Sequence, residues 1–161
     1  MSTNALAGSS VSIKPERRGC SPTELPFSIS ATTSVNADRL RIYQALTIPE
    51  YIEAWFCAPS AIAGSTQVSA KENSFSIIGR CTQHEQFAIF CSYQVRRRSK
   101  VVLTWQHCTR AETGSSMVRI RLLGDFGRTT VHVVHVGLTL SNRQWHEAMW
   151  GLSLGKLSKL F

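Results

Sequence analysis

The chain has 161 residues, of which 43% are hydrophobic and 17% are charged. This composition is typical of one soluble domain and excludes a collagen-like, coiled-coil or wholly disordered protein. Eighteen Lys and Arg against ten Asp and Glu give a formal net charge of +8, which favours anionic partners without identifying one.

The five cysteines are irregularly spaced, and no two of them form a CxxC motif. This usage is typical of free thiols in a reducing compartment, so we expect a cytoplasmic protein. No segment approaches the roughly 18 apolar residues of a membrane span, and residues 1–24 lack the apolar core of a signal peptide. We predict that residues 1–24 form a disordered leader and residues 25–161 a single domain.

The first predicted element is a strand over residues 26–35, where apolar and polar residues alternate. Asn36 follows as a candidate cap for a helix over 37–46. The capping-box pattern of Thr47 to Glu50 then predicts a short second helix over 48–56.

A period of two returns between residues 65 and 138, broken by turn signals at hairpin spacing. Connections this short require antiparallel neighbours, so we predict a curved antiparallel sheet of six to seven strands. Tyr93 and Val95 should face inward. Arg119 and Arg121 should face the solvent. The predicted strands cover residues 66–70, 74–79, 87–95, 100–107, 116–123 and 129–138.

The last predicted element is a long helix over 142–160, capped by Ser141. Its apolar residues form two rows, which predict a broad buried face lying on the sheet. The first row contains Trp145, Met149 and Leu152, and the second contains Trp150, Leu154, Leu157 and Phe161.

The order of these elements and four local motifs resemble the START-like superfamily called SRPBCC, over about residues 26–161. Within it the chain is most similar to the branch named for the activator of the ninety-kilodalton heat-shock protein ATPase. The motifs are Leu46 to Glu50 followed by Trp55, Tyr93 to Val95 leading into Val101 to Trp105, Gly127 to Leu138, and Trp150 to Leu157.

The resemblance implies an α+β helix-grip fold (START-like, Bet v-like). In this fold an antiparallel sheet curls around the C-terminal helix, with two short helices after the first strand and an apolar cavity between sheet and helix. Two positions depart from the family pattern. Asn73-Ser74 stands where relatives have a glycine pair, and Cys91 replaces a glycine, which puts the curvature or the cavity volume in doubt.

A space enclosed by a sheet and a helix and lined by aromatic side chains is a usual site for a small ligand, although large side chains can also fill such a space. We predict that ten residues line it: Trp55, Phe75, Ile77, Tyr93, Leu103, Trp105, Val133, His135, Trp150 and Leu154.

His135 shares the strand parity of Val133 and should face inward, where a single histidine is more often a core residue than a catalyst. A group of Cys and His residues has the atoms of a zinc site but lacks two clean paired spacings, so we predict neither a metal nor a cofactor. This group is Cys81, His84, His107 and Cys108.

The charge run from Arg96 to Lys100 lies in a predicted hairpin turn, where such runs are usually solvated. No stacking aromatic pattern accompanies it, so we predict no nucleic-acid partner.

Three functions fit these sequence features. The leading hypothesis is a non-enzymatic protein that holds a hydrophobic or aromatic small molecule in the cavity. The first alternative is a protein-interaction module that docks on an acidic protein or a chaperone. The second is a cyclase- or aromatase-like enzyme, with His135 as acid or base and Tyr93 as hydrogen-bond donor. The sequence leaves the ligand and the oligomeric state open.

Overall fold

The structure of the protein, a computed structural model, describes residues 10–17, 27–82, 85–109, 113–124 and 126–161. These residues form eight strands and three helices. In chain order they are β1 (Ser12–Arg17), β2 (Phe27–Val35), α1 (Arg39–Thr47), α2 (Pro49–Trp55), β3 (Gln67–Lys71), β4 (Ser74–Arg80), β5 (Gln86–Arg97), β6 (Lys100–Thr109), β7 (Thr113–Leu123), β8 (Thr129–Leu138) and α3 (Leu140–Lys159).

The strands form one antiparallel sheet with the order β1-β2-β8-β7-β6-β5-β4-β3. The order follows from hairpins between successive strands β3 to β8, closed by pairing of β8 with β2. The sheet curls around α3, while α1 and α2 connect β2 to β3. The predicted α+β helix-grip fold is therefore confirmed, with β1 as an additional strand.

Alternation along the strands builds the core. In β8, Val131, Val133 and His135 are buried, whereas the residues between them are half-buried on the outer face. Val95 departs from the prediction. A bulge between Tyr93 and Val95 reverses the alternation, so Val95 lies opposite Val102 on the outer face.

α3 lies against the inner face of the sheet, nearest to β2. Trp150, Leu154 and Leu157 are buried as predicted. Leu152 is 47% exposed, because two helical residues after Trp150 the side chain has turned by about 200°. Among the residues that the structure describes, no helix combines the length and apolarity needed to cross a membrane.

Two helix caps lie two residues away from their predicted positions. Asp38, not Asn36, caps α1 and accepts a hydrogen bond from the backbone of Arg41 at 2.9 Å. Thr139 rather than Ser141 caps α3, in a capping box completed by Asn142. The last helix therefore begins with a capping box, as predicted, but its cap lies two residues before the predicted one.

The capping box predicted over Thr47 to Glu50 is not formed. The Thr47 hydroxyl donates to the Tyr43 carbonyl at 2.8 Å, which closes α1 instead of opening α2. Pro49 begins α2 without a side-chain cap, since the fixed φ of proline suits the first helical position.

The structure differs from the predicted disordered leader at residues 12–17, which form the edge strand β1. Ile13 pairs with Ala31 of β2 and packs on the core. Its Cδ1 lies 3.2 Å from where a Cβ on Gly151 would stand, so the glycine leaves room for it beside α3. The other residues of the predicted leader, except 10 and 11, lie outside the described part of the chain.

We predict that Ile13→Ala lowers the free energy of unfolding by about 1 to 2 kcal/mol, below the range for fully buried isoleucines because Ile13 is half-buried. Lys14→Ala, on the exposed side of the same strand, serves as the matched control. Urea unfolding of both variants measures the difference. Equal midpoints would contradict the docking of β1.

Candidate functional site

The structure brings the ten residues predicted to line a cavity into one buried region between the sheet and α3. None of them is more than 7% exposed. Nine belong to the main hydrophobic cluster, and the tenth, His135, packs its ring against that of Trp105 with 5.4 Å between the ring centroids. The residues are Trp55, Phe75, Ile77, Tyr93, Leu103, Trp105, Val133, His135, Trp150 and Leu154. That they enclose space for a ligand stays a prediction.

A chain of hydrogen bonds through His135 joins α3 to three strands. The indole N–H of Trp150 donates to His135 Nδ1 at 3.0 Å. The ring proton of a neutral His135 must then lie on Nε2, which is 2.7 Å from the hydroxyl of Ser116. That hydroxyl in turn donates to the carbonyl of Trp105 at 3.3 Å. Each polar group along this path has a defined donor or acceptor role.

His146 forms a second link and has the opposite tautomer. Its Nδ1 donates to the backbone carbonyl of Asn142 at 2.8 Å, and its Nε2 accepts from the indole N–H of Trp105 at 3.2 Å. The imidazole rings of His135 and His146 are 4.8 Å apart, edge to face. Two tryptophans and two histidines therefore interlock α3 with β6 and β8.

Four further residues of this region were not among the ten predicted to line the cavity, although Trp145 was predicted on the buried face of the last helix and the sequence signal for the other three was present. Alternation places His107 on the same face as Trp105, and Ser116 on the same face as Val118. His146 precedes Trp150 by four residues and so shares its helix face. The fourth member, Trp145, stacks on His107 at 4.6 Å.

Burial lowers the pKa of His135 well below its ordinary value, and the neighbouring His146 and His107 lower it further. Desolvation disfavours a charged ring, and the nearby histidines would repel one. His135 is therefore neutral at neutral pH, as its acceptor role toward Trp150 requires.

Both groups of the proposed acid–base pair already make hydrogen bonds within the protein. Both nitrogens of His135 are engaged by protein. The Tyr93 hydroxyl donates to the Leu46 carbonyl at 3.1 Å. Burial raises the pKa of Tyr93, with Arg96 acting in the opposite direction. In this structure the pair has structural roles.

The candidate zinc ligands do not converge. His107 is buried on the inner face, and the adjacent Cys108 is half-exposed on the outer face. His84 lies outside the described residues. Within the described part of the chain, no group of three His, Cys, Asp or Glu side chains is placed to hold a metal ion.

A cleft of about 300 Å³ opens beside this interior, between α2, the segment 56–66 and α3. A reciprocal pair of hydrogen bonds ties its walls: the Cys57 amide donates to Ser153 Oγ at 2.9 Å, and Ser153 Oγ donates to the Cys57 carbonyl at 3.3 Å. Its lining includes Glu53, Phe56, Cys57, Ala61, Ile62 and Lys156.

Aromatic rings connect this cleft with the interior. Phe56 borders the cleft, and the centroid of its ring lies 6.2 Å from that of Phe87. The ring centroid of Phe87 lies in turn 6.1 Å from that of Trp145. Trp145 then contacts both His107 and His146. The floor of the cleft thus includes Phe56, through which the cleft borders the packed aromatic core, while polar and apolar residues together form its walls.

A comparison with known protein families identifies the family of this chain. The model of the family described as Activator of Hsp90 ATPase homolog 1-like protein matches residues 36–161. The protein therefore belongs to this family. A comparison with functionally curated proteins finds no significant match.

Solved structures share the fold at low sequence identity. The crystal structure of CV1439 from Chromobacterium violaceum is 15% identical, with a TM-score of 0.71 over 84% of this chain and 97% of that one. CalU16 from Micromonospora echinospora is 14% identical, with a TM-score of 0.60 over 94% and 84%. DynU16, from the dynemicin biosynthetic locus, is 21% identical, with a TM-score of 0.59 over 82% and 46%. These likenesses show the fold alone.

We predict that the free energy of unfolding decreases as the pH falls, because His135 is held neutral in the folded state. Above a pH of about 6.5 both the folded and unfolded states hold a neutral ring. Below this pH the ring binds a proton in the unfolded state but not in the folded state. The free energy of unfolding therefore decreases by up to about 1.4 kcal/mol per pH unit.

His135→Gln keeps an acceptor for Trp150 and a donor for Ser116 but removes this titration. Urea unfolding between about pH 5.5 and 7.5 should give a shallower pH dependence for the variant than for the wild type. Identical slopes would contradict the neutral, buried state assigned to His135.

Proposed function

We propose that the protein binds a small, mainly apolar molecule in the cleft between α2, the segment 56–66 and α3. The observation that carries this proposal is the cleft itself. Its volume of about 300 Å³ lies at the lower end of the range for small-ligand sites, and its floor includes the ring of Phe56.

The enclosed interior is a poorer location for the ligand. Its tryptophan and tyrosine polar groups already bond to protein: Trp55 Nε1 donates to the Ala45 carbonyl at 2.7 Å, and Tyr93, Trp105 and Trp150 are paired as described. A ligand placed there would have to break such bonds or displace packed rings. The cleft requires neither.

The walls of the cleft indicate the class of ligand. Ala61 and Ile62 supply apolar contact beside Phe56, and Lys156 places an ammonium group among the lining residues. Glu53 is already engaged, since its carboxylate accepts from the backbone of Val68 at 3.2 Å. An aromatic body with one anionic group satisfies both the apolar floor and Lys156.

The other hypotheses have less support. Stimulation of a chaperone ATPase is supported by the family description alone and stays a prediction. A cyclase-like reaction would need a polar group that reaches a substrate, and the two groups suggested for it are both engaged by protein.

The test is fluorescence titration with the aromatic sulfonate 1-anilinonaphthalene-8-sulfonate, with native mass spectrometry of the purified protein for a retained ligand. Ala61→Phe should weaken probe binding at least tenfold, about 1.4 kcal/mol, because the added ring occupies the cleft. Ala70→Phe adds the same ring at an exposed position of β3 and should stay within about twofold.

Lys156→Gln separates the charge from the apolar contact. This substitution should weaken binding of the sulfonate probe more than binding of neutral 1-naphthol. Absence of saturable binding by the wild type, or equal losses in Ala61→Phe and Ala70→Phe, would refute the cleft as the ligand site.

A further inference from the structure

Four basic residues lie in one row across the outer face of the sheet. Arg97 of β5 pairs with Lys100 of β6, Lys100 pairs with Arg121 of β7, and Arg121 pairs with His132 of β8. Residues paired in register share a face. We call these four residues, Arg97, Lys100, Arg121 and His132, the basic row.

The bulge in β5 brings Arg97 into this row. Without it, strand alternation from Tyr93 would place Arg97 on the inner face; with it, Arg97 lies beside Lys100 on the outer face. Arg97 and Arg121 are exposed, and Lys100 and His132 are half-buried. With strands about 4.8 Å apart, the row is about 14 Å long.

The row is electrostatically unfavourable by itself. Like charges directly opposite each other on neighbouring strands destabilise a sheet, and Lys100 with Arg121 is such a pair. Over the ranges given for β2 and β5 to β8, the strands contain no Asp or Glu. These strands therefore supply no carboxylate to the row.

A second row runs alongside and is mainly apolar. Val95 pairs with Val102, Val102 with Arg119, and Arg119 with Val134. Val95 and Val134 are half-buried, and Arg119 is exposed. The outer face thus presents three cationic side chains and a histidine beside a second row of three valines and Arg119.

We propose that this face docks an acidic segment of a partner protein that lies across the strands. Its carboxylates pair with Arg97, Lys100 and Arg121, and two of its apolar side chains pack on the second row, one on Val95 at one end and one on Val134 at the other. Charge complementarity identifies the occupant: the row needs several negative charges about 5 Å apart, beside apolar contact.

Two other polyanions fit less well. Single-stranded nucleic acid is held mainly by bases stacked on aromatic rings, and neither row contains a Phe, Tyr or Trp. An anionic bilayer is flat, whereas the outer face of a sheet that curls around α3 is convex. Both serve as competitors in the test.

The experiment is an anisotropy titration with a fluorescein-labelled peptide of alternating glutamate and valine, at an ionic strength of about 0.05 M so that screening is weak. The wild type should bind it saturably, and added salt should weaken binding. Lys100→Gln with Arg121→Gln should weaken binding at least tenfold.

Lys71→Gln with Arg80→Gln removes the same charge from exposed positions of β3 and β4 and should change binding less than twofold. Thermal unfolding at low salt verifies that the row variant is folded. Its melting temperature should equal or exceed that of the wild type, because a like-charge pair has been removed.

Four results would overturn the proposal: no saturable binding of the peptide, equal losses in both double variants, equal binding of a glutamine–valine peptide, or tighter binding of oligothymidylate or phosphatidylserine vesicles than of the acidic peptide. The first three would reject the docking face, and the last would replace the acidic protein with another class of partner. None of them depends on the cleft beside α3.

Discussion

Two buried indole N–H groups, those of Trp105 and Trp150, depend on two neutral imidazoles for their hydrogen bonds. An unpaired buried donor costs about 1 to 3 kcal/mol, so these bonds favour one rotational setting of α3 against the sheet. Protonation of His135 at Nδ1 would remove the acceptor that Trp150 needs. The packing of the helix, the tautomers of the histidines and the predicted acid sensitivity of the fold therefore all follow from these two hydrogen bonds.

This constraint also explains why the candidate binding sites lie outside the core. In the interior the indole N–H groups of Trp55, Trp105 and Trp150 are hydrogen-bonded and the rings are in contact, so the interior is one packed body. The cleft lies where this body meets the segment 56–66, in which Ser60 and Gly64 have positive φ angles of 57° and 75°. The basic row lies on the opposite side of the sheet, on strands that the same core holds in register. The two proposed binding surfaces thus lie on either side of the packed core.

The fold could be predicted from the sequence because a period of two, turn spacing and a final amphipathic helix all indicate the same architecture. Other features depend on information that local patterns lack. β1 contains Pro15 and few apolar residues, and its stability comes from β2 and α3. The bulge at Gln94 adds one residue to an otherwise regular strand, and this reversed the expected face of Val95. Helix caps were displaced because neighbouring Asn, Asp, Ser and Thr residues are chemically interchangeable there. For the site, alternation along the strands placed seven of the ten interior residues, and the apolar faces of α2 and α3 placed Trp55, Trp150 and Leu154. Neither pattern could show that their polar edges bond to one another, because that depends on tertiary distances.

The most direct test of this account is long-range ¹H–¹⁵N correlation NMR of the imidazole nitrogens at about pH 7. We expect His135 to be neutral with its proton on Nε2, and His146 to be neutral with its proton on Nδ1. The indole N–H groups of Trp105 and Trp150 should also exchange slowly with solvent. A charged ring, the same tautomer for both histidines, or rapid exchange of either indole proton would contradict the interlock of α3 with the sheet.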